Sequence, residues 1–141
     1  MSNTETPQWQ HVLCPIDFSK RSSVALSTAV ALAQRDEAKL SLVHVMQSVP
    51  APAIAASPPT MPALATAEDA ENLTRQMRRQ HEAALELLAR SDVPDALRCE
   101  RKLMVGRPAD ELADYAESQG VDLIVMATQG HGRWQRFLFG S

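Results

Sequence analysis

The residues with the most evident chemistry lie in the closing stretch ATQGHGRWQRFLFGS, positions 127–141. Gly130 and Gly132 let a backbone turn sharply and approach a ligand without side-chain obstruction. Gly140 and Ser141 have the form of a helix start, with Ser141 as cap or first-turn residue. Free backbone N–H groups and the positive end of the helix dipole suit a phosphate there. Arg133 and Arg136 add positive charge. The chemistry is anion binding, most simply of phosphates. Two common phosphate loops do not fit. There is no GxxxxGK[ST], and Gln135 stands where the third glycine of GxGxxG belongs. The loop also follows a fourth strand, not the first.

Other reactive side chains are sparse. His11, His44, His81 and His131 show neither HExxH nor paired spacing and read as ordinary loop or surface residues, with a phosphate contact the alternative for His131. Trp134 packs on the sheet end or touches a partner, and the sequence does not separate these. Cys14 and Cys99 lie outside any CxxC, in apolar runs, and read as buried reduced thiols. No general base and no paired carboxylates for magnesium stand near the loop, which weighs against an enzyme.

These residues need elements to position them. HVLCPI (11–16) reads as a short strand closed by Pro15 and Asp17. Ser19 caps a helix over 20–37, with Val24, Leu26, Ala29, Val30 and Ala33 on its apolar face. KLSLVHVM (39–46) is nearly continuous in apolar residues, as a strand covered on both faces requires. Prolines at 50, 52, 58, 59 and 62 make 47–66 a Pro/Ala-rich insertion, either a surface excursion or a flap over a site. A long amphipathic helix follows over 67–91, acidic early and basic late. A strand over 97–106 ends at Gly106. A helix over 107–120 has Pro108 in its first turn and Gly120 as its stop, and a strand covers 121–127.

The order βαβαβαβ predicts an α/β fold, an open parallel sheet between helices, in one domain over 1–141. Ligands in such sheets bind beyond the carboxyl ends of strands, where strand order reverses. Three segments stand at such ends: Pro15-Ile16-Asp17, the stretch from Val45 to Pro50, and the closing loop.

Composition narrows the function. The chain has 141 residues, 45% hydrophobic and 22% charged, with net charge −3. That is globular usage without the basic field a nucleic-acid binder carries. No apolar run reaches the ~20 residues of a membrane span. The N-terminus lacks the basic and apolar regions of a signal peptide. A cytoplasmic protein is expected.

The closing loop resembles the nucleotide loop of the universal stress protein family, Gly-x2-Gly-x9-Gly-[Ser/Thr]. Gly130 and Gly140-Ser141 match it, with Ala127 in place of the first glycine. VLCPIDFSKRSSVAL, LSLVHV, VGRPADELADYA and VDLIVMATQGHGR are similar to the family's other motifs, in order. The resemblance implies an adenine nucleotide, ATP or a relative, with or without magnesium. Pro15, Ile16 and Asp17 would form the turn that packs on adenine and holds the ribose. Val45 would read adenine through its backbone, Met126 would line the pocket, and Gly106 would lie near the ribose. Gly130, Gly132, Arg133, Gly140 and Ser141 would serve the phosphates. The bland readings stand beside these: Asp17 as turn former, Met126 as core filler, Gly106 as a strand-to-helix turn. Ala127 is strained if its φ is positive and costs little if it continues the strand.

The family continues from Gly-Ser into a helix and a fifth strand that often forms a dimer edge. A longer parent chain is therefore expected, and without the fifth strand the fourth forms an apolar sheet edge. The expected function is a nucleotide-binding regulatory module in stress response, acting through homodimerisation and a protein partner. The alternatives are a nucleotide-free dimeric stress protein and a slow ATPase or self-phosphorylating protein with Ser141 as acceptor. A flavodoxin-like phosphoacceptor fits less well, because its acidic pair and late lysine are not evident.

Overall fold

The near-continuous apolar runs at 11–16 and 39–46 pair side by side at the centre of a parallel sheet. The structure is a computed structural model, and it describes residues 8–47 and 66–127. The elements are β1 (His11–Pro15), α1 (Lys20–Asp36), β2 (Lys39–Met46), α2 (Ala67–Asp92), β3 (Cys99–Val105), α3 (Pro108–Ser118) and β4 (Leu123–Ile124). The strand order is β3-β2-β1-β4, and every pairing is parallel. This is the expected α/β class. The chain builds outward from β1 through β2 to β3, then crosses back to lay β4 on the other side of β1. The reversal falls at β1 and β4.

The two faces of the sheet carry separate cores, as alternation along each strand dictates. Val12, Cys14, Ile16, Leu40 and Leu42 pack with Leu26, Ala29 and Ala33 of α1 and Leu85 and Ala89 of α2. Leu13, Val43 and Val45 pack on the opposite face with Leu112 and Tyr115 of α3. Polar groups bridge that second face. His11 Nε2 lies 2.7 Å from Ser41 Oγ, which lies 3.0 Å from the Tyr115 hydroxyl. His11 Nδ1 lies 3.1 Å from the Gln119 carbonyl, which can only accept. For a neutral ring Nδ1 is therefore the donor, Ser41 donates to Nε2, and Tyr115 donates to Ser41.

Local chemistry sets the helix ends. The Ser19 side chain accepts from the Ser22 N–H at the start of α1. Thr66 and Asp69 form a capping box at the start of α2, with Glu68 and Asp69 early and Arg90 late. Pro108 opens α3, and Gly120, at φ 65°, follows its end. One expectation fails on α1: Val24 is 68% exposed, and Ala25 takes its place in the buried stripe. At 100° per residue, positions 25, 26, 29, 30 and 33 share a face, and 24 falls nearly opposite its centre.

Two other differences concern the strands. Cys14 is buried as expected, but Cys99 is only partly so, because β3 is a sheet edge. Regular β4 is shorter than 121–127, although Asp122 N–H to His11 O and Val125 N–H to Leu13 O, both 2.9 Å, extend its pairing with β1. Of the insertion at 47–66, residues 48–65 lie outside the described residues.

Candidate functional site

β1 ends early, and the site is built around that. The Ile16 N–H donates to the Val43 carbonyl at 2.8 Å, the last bond of the β1–β2 ladder. β2 runs on to Met46, whose carbonyl accepts from the Gly106 N–H at 2.9 Å on the β3 side. Peptide groups alternate sides along a strand. The N–H and C=O of Val45 therefore point toward β1, past the place where β1 has turned away. Val45 is 3% exposed within the α3-side core, and its N–H and C=O point to the side that β1 leaves.

Asp17 stands at the end of β1. Its Oδ1 accepts from the Ser19 N–H at 2.9 Å, a two-residue loop back to its own backbone that launches α1. Burial pushes this carboxyl up, but hydrogen bonds from Ser19 and Ser22 outweigh it and hold Asp17 below the ordinary carboxylate range. Phe18 then sits at φ 62°, a left-handed conformation costly for a bulky residue. Pro15 and Ile16 are fully buried. The Ile16 N–H and C=O are both engaged, the carbonyl by His44 Nδ1 at 2.6 Å. These two residues set the height of the turn.

Gly106 closes β3 at φ 155°. A Cβ there would lie 2.6 Å from Glu111 Oε1 and 2.8 Å from its Cγ. The backbone angle favours glycine, and any side chain there would have to displace that of Glu111. Met126 packs against the α3-side cluster and Ala127 against the α1/α2-side cluster. That alternation continues β4. Ala127 is not among the residues with positive φ, so alanine in place of glycine is unstrained.

Asp17, Val45, Gly106 and Met126–Ala127 thus come from four parallel strands and share one end of the sheet, at the reversal of strand order. Gly130, Gly132, Arg133, Gly140 and Ser141 lie outside the described residues. Sequence reasoning missed a further group: His44 and His81 pack together with Phe18 beside this end. They come from β2 and α2, and no local spacing links them. Among the described residues no three His, Cys, Asp or Glu side chains gather as a metal ligand set, and no helix is long and apolar enough to cross a membrane.

Fold and site define an open parallel α/β protein whose strand order reverses at β1 and β4. The universal stress protein family model matches residues 8–141, and the chain belongs to that family. It is 32% identical over 132 residues to a universal stress protein encoded in the QAH/OAS sulfhydrylase 3′ region of Thermus aquaticus, covering 92% of this chain and 85% of that one. It is 26% identical over 130 residues to the universal stress protein YxiE of Bacillus subtilis, covering 92% and 86%. Among solved structures, the protein MJ0577 superposes with a TM-score of 0.69 at 21% identity, over 88% of this chain and 78% of that one. UspA from Lactobacillus plantarum superposes at 0.61 and 24%, over 96% and 88%. These likenesses establish the shared fold.

Proposed function

We propose that this chain is a cytoplasmic regulatory module that holds ATP or another adenine nucleotide, with or without magnesium, and signals through homodimerisation and a protein partner during stress. One observation carries the reading. The N–H and C=O of Val45 point to the side that β1 leaves at the switch point, near Asp17 and the side-chain-free Gly106. An N–H and a C=O on one side of a strand can pair with the edge of a base. Asp17 supplies a charged acceptor for ribose hydroxyls. Gly106 leaves room for close approach. The phosphates fall to Gly130, Gly132, Arg133, Gly140 and Ser141, on the motif alone. The bound nucleotide supplies the signal, and the protein supplies position and charge.

The test is direct. Protein freshly purified from cells is denatured, and the supernatant is separated by ion exchange with ultraviolet detection. A near-stoichiometric adenine nucleotide peak is expected. An empty trace, followed by no calorimetric binding of ATP with magnesium, would sink the proposal.

A second reading, a nucleotide-free dimer, is favoured by one feature. Asp17 already has a structural task in its bonds to Ser19 and Ser22. The same empty trace would establish that reading, provided the protein sediments as a dimer.

A further inference from the structure

Three rings from three elements meet beside the carboxyl end of β2. Phe18 follows the Asp17 turn, His44 stands on β2, and His81 stands on α2. Ring centroids lie 4.7 Å apart for Phe18 and His44, 5.9 Å for Phe18 and His81, and 4.8 Å for the two imidazoles, which meet at 81°. His44 is 8% exposed and donates from Nδ1 to the Ile16 carbonyl. His81 Nδ1 is a buried side-chain polar atom without a hydrogen-bond partner among the described residues. Native structures rarely leave such an atom without a reason. Phe18 holds its place in the cluster with a left-handed backbone, so the cluster works against local strain.

We propose that the His44–His81 pair is an acid-sensitive latch: neutral, it fastens α2 to the turn that carries Asp17, and protonation releases that contact. The functional consequence, loss of the nucleotide site in acid, rests on the function proposed above. The surroundings give a new positive charge little relief. Asp17 is the nearby carboxylate; it bonds Ser19 and offsets the burial of His44 only in part. β3 offers Leu103, the register partner of His44. On α2, Arg78 and Glu82 pair with each other at 3.1 Å, and Glu86 pairs with Arg90 and Arg101. β1 presents the Cys14 thiol, pushed up to about 12 by burial and so neutral throughout. The first turn of α1 holds Lys20 and Arg21, both exposed.

Burial holds His44 below the ordinary histidine range. The Ile16 carbonyl and Asp17 counter this in part, and His81 reinforces it. The folded state therefore binds its proton later than the unfolded chain does, at 6.5. Stability from the neutral ring is whole above that pH and is lost as pH falls below it. With one proton taken up on opening, the opening constant rises by at most about tenfold per pH unit.

The experiment is amide hydrogen exchange by NMR over α2 and residues 16–19, with imidazole titrations, from about pH 7.5 to about pH 5. Wild type is compared with His44→Asn, which keeps a donor near the Nδ1 position, and with His81→Phe, which keeps a ring. Opening of α2 is expected to rise in acid in wild type, to stay flat in His44→Asn and to rise less in His81→Phe. A flat wild type, or a rise unchanged in either variant, overturns the latch. Should both variants be unfolded at neutral pH, wild type decides: His44 protonation without faster exchange also overturns it. ATP affinity over the same range is expected to weaken in acid. Failure to bind ATP at any pH would count against the nucleotide reading alone, and the exchange data would still judge the latch.

Discussion

At the scale of single residues, the site depends on backbone conformations that side chains resist. Gly106 has both a positive φ and a neighbour, Glu111, in the space a methyl would take. The Glu111 side chain can move, but the backbone angle cannot relax without shifting the end of β3. Gly106→Ala is expected to destabilise the fold by about 1–3 kcal/mol in urea unfolding. Adding Glu111→Ala separates the causes: if the double variant recovers fully, the clash and not the angle set the cost. Phe18 is the opposite case, a bulky residue accepted at positive φ because its ring packs on two histidines. Asp17 was legible as a residue at a strand end. Its bond to the Ser19 N–H follows from type and spacing as well.

At the scale of elements, capping decides where α2 begins. That helix follows the insertion, and a capping box satisfies amide donors at its first turn. Asp69 N–H donates to Thr66 Oγ1 at 3.1 Å, and Thr66 N–H donates to Asp69 Oδ2 at 3.3 Å. Thr66→Ala is expected to cost about 1 kcal/mol, read by thermal unfolding, with Thr66→Ser restoring most of it. No loss on removing the hydroxyl would mean that packing alone fixes this end. The edge strand β3 shows the complementary device. Arg101 and Lys102 are exposed there, and Lys39 pairs with Glu100 at 2.7 Å. Charges on an edge discourage pairing with other chains.

At the scale of the whole molecule, four parallel strands bring their carboxyl ends to one place, and binding there couples to the stability of the entire fold. If the site holds ATP, ligand at about 100 times its Kd adds about 2.7 kcal/mol to the folded state. For a chain of 141 residues this is expected to raise Tm by roughly 8 °C. Asp17→Ala is expected to reduce that rise without abolishing folding. A Tm that ATP leaves unchanged in wild type would speak for the nucleotide-free dimer.

The sequence by itself determined the element order, the parallel class and most boundaries, because apolar periodicity, caps and proline or glycine stops are local and act through the chain's own backbone. It also marked Asp17, Gly106 and the closing glycines, whose chemistry belongs to residue type. Only the tertiary structure decided which strands are neighbours, and so that the Val45 N–H and C=O point past the early end of β1. Only it showed that Ala25 and not Val24 faces the sheet. Only it joined His44 to His81 and threaded His11, Ser41 and Tyr115 into one buried chain. Those contacts link residues far apart in sequence. They are selected by the register of strands and the docking of helices, which no local pattern encodes.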